Sequence, residues 1–333
     1  MGSRRRWQSL VAAGLAAAFA AGIAAGATAQ EMKKITVFSG PVPKYDAVWM
    51  ADANGFYKAE GLDIAFRDFP SGTTALQTFM SGQGDIVFNG DLPGVRHWIA
   101  AKKDYRLITI FERSATSYIV AARKEIAKPM DLKGKIVATR VGSTGSWFIA
   151  EFVNKNNIGS VDIKNLDTQV LPTALCQGDI SAFFIWQPFG SRALEVCPDK
   201  VHILATAEGY INGYAVGAAR ASWLATPEGA DIAKRFLRAT IKGLAIAEKD
   251  FPAVAAYAKA KYGLSEAATK ADWDINIRAN AFDKVFYSDY CSLAEWMRSE
   301  KLMEGKFDIS EFIWTDGLAS IDPKRVLPTP PPC

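Results

Sequence analysis

The sequence predicts an α/β protein of two lobes, each a mainly parallel sheet flanked by helices, with the first lobe interrupted by the second. Three observations lead there. Short β-prone runs alternate with helix-compatible runs along most of the chain, the pattern of layered α/β units. About 300 residues remain once an N-terminal export segment is set aside, more than one typical core holds. A β-prone run at Tyr214 to Ala219 follows a complete second set of strands, so the chain has to cross between lobes twice.

Residues 1–29 read as a targeting segment: Arg4, Arg5 and Arg6 make a basic start, Leu10 to Ala25 an Ala-rich apolar run, and Ala27, Thr28 and Ala29 a small-residue cleavage site. The apolar run is about 16 residues, short of the roughly 20 that a membrane span takes, so a cleaved signal and a periplasmic mature protein starting at Gln30 are expected. Ser3 to Trp7 also resembles a twin-arginine signal, which leaves the export route open. No cysteine lies near the cleavage site to carry a lipid anchor. Loss of the three arginines takes the formal charge from +4 to +1. Such a near-neutral surface excludes a nucleic-acid partner, which needs a basic stripe.

The first lobe is expected to begin with a strand at Ile35 to Phe38, a helix at Ala47 to Asn54, a strand at Leu62 to Phe69 and a helix at Thr73 to Ser81. A strand at Ile86 to Asn89, a helix at Gly94 to Ala101 and a strand at Leu107 to Phe111 follow. The second lobe repeats the theme with strands at Tyr118 to Ala122 and Ile136 to Thr139, a helix at Ser146 to Asn156, and strands near Ile163 and at Ile180 to Ile185. Tyr214 to Ala219 returns the chain to the first lobe, giving boundaries of 30–113 with 215–327 for lobe one and 114–214 for lobe two. Beyond it the pattern is helical. Thr226 reads as an N-cap with Pro227 in the first turn, and Ala233, Leu237, Ile241 and Leu244 recur at helical spacing. Further helices are expected at Ala253 to Lys261 and Ser292 to Lys301, and a disordered Pro-rich tail at 328–333.

Cys176, Cys197, Cys291 and Cys333 allow three pairings in a compartment that permits disulfides. Cys176 ends a predicted helix before a strand and Cys197 ends the helix after it, so both fall at one edge of the sheet and a Cys176–Cys197 bridge is expected. With no C-x-x-C pair and only His97 and His202 as histidines, neither metal nor cofactor is expected.

Ligand chemistry is most legible between Asp131 and Trp147. There a β-prone run leads into Gly142, Ser143, Thr144 and Gly145 at a helix start, where free backbone N–H groups and hydroxyls suit an anion. In open α/β sheets ligands bind beyond the carboxyl ends of strands. That rule adds Tyr45 in the loop Pro41 to Tyr45, then Ser71, Gly72 and Thr73, then Asn89 and Asp91, and Trp186 with Gln187. Ser71 and Ser143 could equally be plain caps, and Asn89 and Asp91 could simply fix their turn. Trp49, Trp147, Tyr210 and Tyr214 lie near these loops and could line a pocket for an organic anion, although Trp49 could instead face the core. Arg113 and Arg140 are candidates to pair with a carboxylate or sulfonate. No nucleophile stands beside a base and no phosphate loop of the Walker type occurs. Asp85 and Asp91, six residues apart, form no acid–base pair. These readings favour a secreted binder over an enzyme.

Six segments in order carry a family resemblance: Gly55 to Asp63, Phe69 to Gly72, Ser81 to Ile86, Asn89 to Pro93, Asp131 to Thr144, and Ile185 to Phe189. Together they resemble the periplasmic solute-binding proteins of ATP-driven importers for nitrate, sulfonates and taurine, a family also related to binders of thiamin-precursor pyrimidines. The resemblance implies a type II periplasmic-binding-protein fold with the ligand cleft between hinged lobes. It further implies delivery of a small organic anion, of sulfonate or aromatic carboxylate type, to a membrane permease and its ATPase by a monomeric binder. Gln187 stands where many members carry an acidic residue, which removes one counter-charge for an amine-bearing ligand such as taurine. The alternatives are uptake of a pyrimidine or other small heterocycle, a ligand-sensing module for a membrane receptor, and an enzyme like the yeast-type pyrimidine synthase, whose histidine-and-iron chemistry this chain lacks.

Overall fold

The computed structural model describes residues 32–328 and Cys333. The expected targeting segment and residues 329–332 lie outside the described residues. The strands are β1 (Lys33–Ser39), β2 (Leu62–Asp68), β3 (Ile86–Gly90), β4 (Arg106–Ser114), β5 (Tyr118–Arg123), β6 (Ile136–Thr139), β7 (Asp162–Asn165), β8 (Ala182–Trp186), β9 (Val201–Thr206) and β10 (Gly213–Ala219). They form two five-stranded sheets, ordered β2-β1-β3-β10-β4 and β7-β6-β8-β5-β9.

In the first sheet β1 pairs in parallel with β2 and β3, while β10 is antiparallel to both β3 and β4. In the second, β6 is parallel to β7 and β8, while β5 is antiparallel to β8 and β9. Each sheet therefore has one reversed strand, and in both it is the strand by which the chain enters after a crossover. The reason is geometric. The chain leaves a lobe at the carboxyl end of its last strand, on the side facing the other lobe, so the next strand has to start at that side and run away from it. Both sheets consequently turn the carboxyl ends of their forward strands toward a shared cleft, and the first sheet is interrupted as the sequence predicts.

The central strands are continuous apolar runs because both faces are covered by helices. Val37, Phe38, Val87, Ile108, Val216, Val120, Val137 and Phe184 are all buried. The helix Pro227–Ala247 starts at Thr226, whose hydroxyl accepts from the Gly229 N–H, and buries Ala233, Leu237 and Leu244. Two helix starts differ from the sequence expectation by three residues or more. One helix spans Asp91–Ala100 because Pro93 fits its first turn. Another spans Lys284–Ser299, eight residues longer at its start than expected, because Asp283 caps it through the Phe286 N–H. A helix at Glu266–Trp273, capped by Ser265, was not read from the sequence. No helix of the described residues is long and apolar enough to cross a membrane.

Cys176 is bonded to Cys197 as expected. The bridge joins the helices Leu171–Gln177 and Phe189–Val196, which flank β8, the central strand of the second sheet. Cys333 is bonded to Cys291. The expectation of a free tail therefore fails at its last residue, which is tied to the helix Lys284–Ser299.

Candidate functional site

A cavity of about 40 Å³ lies at the carboxyl ends of the strands, between the two sheets. Its walls come from both: Ser39, Lys44, Tyr45, Ser71, Gly72, Thr73, Asn89 and Tyr214 on one side, Tyr118, Ser143, Thr144 and Trp186 on the other. Free volume of this size holds roughly three water-sized groups at 10–15 Å³ each, the scale of a polar headgroup.

Two helices start at this cavity. Ser71 accepts from the Thr74 N–H at the head of Gly72–Met80, and Ser143 accepts from the Gly145 N–H at the head of Thr144–Lys155. Other first-turn N–H groups have no partner within their own helix, so two positive helix ends face the cavity from opposite lobes. Gly72 is required by close approach, since a Cβ there would stand 2.5 Å from Cα of Asn89. The Thr73 hydroxyl is buried at the cavity wall without a hydrogen-bond partner. The sequence-derived sites Ser71, Gly72, Thr73, Ser143 and Thr144 thus come together.

Lys44 was not singled out by the sequence reading. It lines the cavity at 4% exposure, its Nζ 2.6 Å from Oε2 of the fully buried Glu112. The same Nζ lies 5.1 Å from the ring centroid of Tyr118 and 5.9 Å from that of Trp186, within cation–π range. Tyr45 lines the cavity and packs on Phe88 and Phe111. Tyr214 contributes to the wall while its hydroxyl donates to Asp289 at 2.5 Å.

Several expected contacts are corrected. Trp49 packs against Tyr257 and Tyr262, outside the cavity lining. Trp147 packs on Trp296, because it lies on the face of its helix turned from the cavity. Tyr210 packs against Phe148 and Phe152. Gly145 is close-packed against Thr139 and the Phe184 carbonyl and does not reach the cavity. Gln187 is taken up by the Ser191 N–H at 3.1 Å and the Ser191 hydroxyl at 3.3 Å. Asn89 is at the wall, but its amide donates to the Tyr105 hydroxyl at 2.9 Å and accepts from it at 3.0 Å. Arg113 is paired with Asp283 at 2.9 Å and Arg140 with Asp167 at 3.3 Å, neither on the cavity.

Asp91 lies behind the wall, and it ties the lobes together. It accepts from the Thr144 hydroxyl, the Leu92 N–H and the Tyr214 N–H. Burial pushes its carboxyl up to about 6 against the lowering effect of those donors.

The histidines stand apart from the cavity. His97 is pushed down to about 4 by burial and then by the Arg220 charge, and the His202 ring is 2.9 Å from the Ile126 carbonyl. Among the described residues no group of three or more His, Cys, Asp or Glu side chains is arranged to hold a metal ion.

The sequence matches the family described as NMT1/THI5 like over residues 43–251. The taurine-binding periplasmic protein of Escherichia coli (strain K12) is 28% identical over 139 residues, 40% of this chain and 42% of the relative. That match spans about two fifths of the relative's length. Among solved structures, the alkanesulfonate-binding protein SsuA from Xanthomonas axonopodis pv. citri, bound to MOPS, superposes with a TM-score of 0.73 at 16% identity, covering 85% of this chain and 99% of that one. The desulfurization enzyme DSZB gives 0.69 at 16% identity, covering 86% and 98%. At such identities these likenesses establish the two-lobed periplasmic-binding-protein fold and nothing about the ligand.

Proposed function

The chain belongs to the NMT1/THI5-like family, and from that premise we propose that it is the extracytoplasmic solute-binding component of an ATP-driven importer, closing its lobes around a small organic anion of sulfonate type. The observation that carries this reading is the convergence of a buried ammonium, Lys44, with two helix N-termini from opposite lobes on one headgroup-sized cavity. Three oxygens of a sulfonate would meet the Thr73 hydroxyl and the N–H groups around Gly72 and Thr144 from two sides. The aromatic walls Tyr45, Tyr118, Trp186 and Tyr214 would hold the organic part.

The relatives' names support the same class, one binding taurine and one bound to the sulfonate MOPS. We assign lobe one to 30–113 with 215–327 and lobe two to 114–214, the hinge lying where β4 passes to β5 and β9 to β10. A cleaved signal, a periplasmic location, a monomeric state and delivery to a permease and its ATPase complete the proposal. We read the protein as a binder although an enzyme shares its fold. All four cysteines are in disulfides, so none offers a thiolate nucleophile.

The test is thermal unfolding of the mature protein with nitrate, bicarbonate, taurine, alkyl and aryl sulfonates, aromatic carboxylates and pyrimidines. A ligand that prefers the folded state raises the midpoint. Shifts with sulfonates that shrink in Thr73→Val support the reading. Shifts confined to neutral pyrimidines would transfer it to uptake of a heterocycle.

A further inference from the structure

Behind Lys44 lies a group of five buried ionisable side chains that the anion reading does not explain. Lys44 pairs with Glu112 at 2.6 Å, and Arg278 pairs with Asp46 at 2.5 Å through its Nη2 and 3.0 Å through its Nε. Those four charges cancel. The fifth group is Asp272, on the helix Glu266–Trp273, which is fully buried and has neither oxygen hydrogen-bonded. A carboxylate with no cation left to it and no donor is untenable in such a place, and the neutral acid is the form that fits.

We infer that Asp272 is a positioning residue for anion capture: protonated, it leaves the Lys44 ammonium paired with Glu112 and free to serve the cleft, and its ionisation withdraws Lys44 from the ligand. Capture is thereby linked to a proton, held on a residue that never touches the ligand. This deepens the proposed function and rests on it. Electrostatics agree in direction. Burial first and the Glu112 charge second push the Asp272 carboxyl well above the usual carboxylate range, against the pull of Lys44 and Arg278, while Asp46 adds to the rise.

These four groups face Asp272 from the turn Pro43–Tyr45, the helix Asp46–Ala53, β4 and the segment after its own helix. Lys270 on the same helix pairs with Asp274 at the surface, and Glu195 of the neighbouring helix Phe189–Val196 is held by the exposed Ser265. Neither contributes. Glu112 keeps one oxygen, Oε1, buried without a partner.

The test uses ethanesulfonate, which stays singly charged at every pH used, and measures its affinity from pH 5 to 9 for the native protein and Asp272→Asn. Calorimetry at pH 8, above the range in which Asp91 titrates, in two buffers of different ionisation enthalpy reads proton uptake directly on the native protein, so the test survives a variant that fails to fold. The expected result is affinity falling about tenfold per pH unit once Asp272 ionises in the free protein, with up to one proton taken up on binding there. In Asp272→Asn that fall is lost, and the only dependence left is the one Asp91, pushed up to about 6 and under the Lys44 charge, contributes near pH 6. PH-independent native binding without proton uptake, or a variant that follows the native profile, overturns the inference and leaves the anion reading standing. Absence of ethanesulfonate binding at every pH, with a neutral heterocycle bound instead, overturns the anion reading itself.

Discussion

Lys44 shows how one side chain acquires a role through its surroundings. Its ammonium is buried against Glu112, 68 residues away in sequence, so truncation both removes the cleft's cation and strands a carboxylate. Lys44→Met is expected to weaken alkanesulfonate binding by about 2–5 kcal/mol and to destabilise the fold by about 3–5 kcal/mol. The double variant Lys44→Met, Glu112→Gln should recover most of the stability and none of the binding, as denaturation and titration of the two variants will show. Asp91 carries a pH signature. Its folded value near 6 lies above the unfolded carboxylate value, so its contribution to stability is fully present below about pH 4 and is lost as pH rises through about 6. Denaturant unfolding at pH 4 and pH 7 should show Asp91→Asn free of a loss of about 3 kcal/mol that the native protein suffers. The cap residues Ser71 and Ser143 were legible in the sequence, because capping is local chemistry. Lys44 was not, since nothing near Pro43 announces that a distant glutamate will bury the lysine. Trp49 and Trp147 were misplaced for a related reason: on short helices, composition tells that an indole is buried but not against which layer.

Strands and helix starts were the most legible elements. Ile136–Thr139 was read to the residue, and Thr226, Ser71 and Ser143 each proved to cap the helix after it. The helix Glu266–Trp273 was missed because its eight residues include four polar or charged ones and lack a clear apolar stripe. That helix nevertheless carries Asp272, so the part of the site least visible in the sequence is also the part that governs its charge. The loop into Gly72–Met80 is the element most exposed to a single change. Gly72→Ala would drive a methyl group into the Asn89 backbone, and repacking of that kind costs about 1–3 kcal/mol. We expect a matching drop in stability and a larger proportional loss of anion affinity, because the same shift moves the Thr73 hydroxyl and the first-turn N–H groups. Equal losses for anionic and uncharged ligands would show that this helix start does not hold the anion.

At the scale of the whole molecule, one reversed strand in each sheet records the two crossings between lobes and aims the remaining strand ends at the cleft. The sequence revealed which runs form strands and that the chain crosses twice, but neither the strand order within each sheet nor the reversal, which follows from where the crossing chain has to enter. The lobes meet through few polar contacts, among them the Thr144 hydroxyl on Asp91 and the Thr168 hydroxyl on the Pro70 carbonyl at 2.9 Å, a closed arrangement that a bound anion would reinforce from inside. Two disulfides brace parts of the molecule away from those contacts, one within lobe two and one tying Cys333 to the first-lobe helix Lys284–Ser299. Closing a loop of the Cys176–Cys197 size is worth about 3 kcal/mol, so the unfolding midpoint should fall on reduction and fall less in Cys176→Ala, Cys197→Ala. The most direct test of anion capture is titration calorimetry of the mature protein with ethanesulfonate and with ethyl methyl sulfone, its uncharged near-isostere. The sulfonate is expected to bind one to one and the sulfone not at all, with Lys44→Met abolishing the difference. Equal binding of the two compounds, or binding of the sulfonate unchanged in Lys44→Met, would contradict the account.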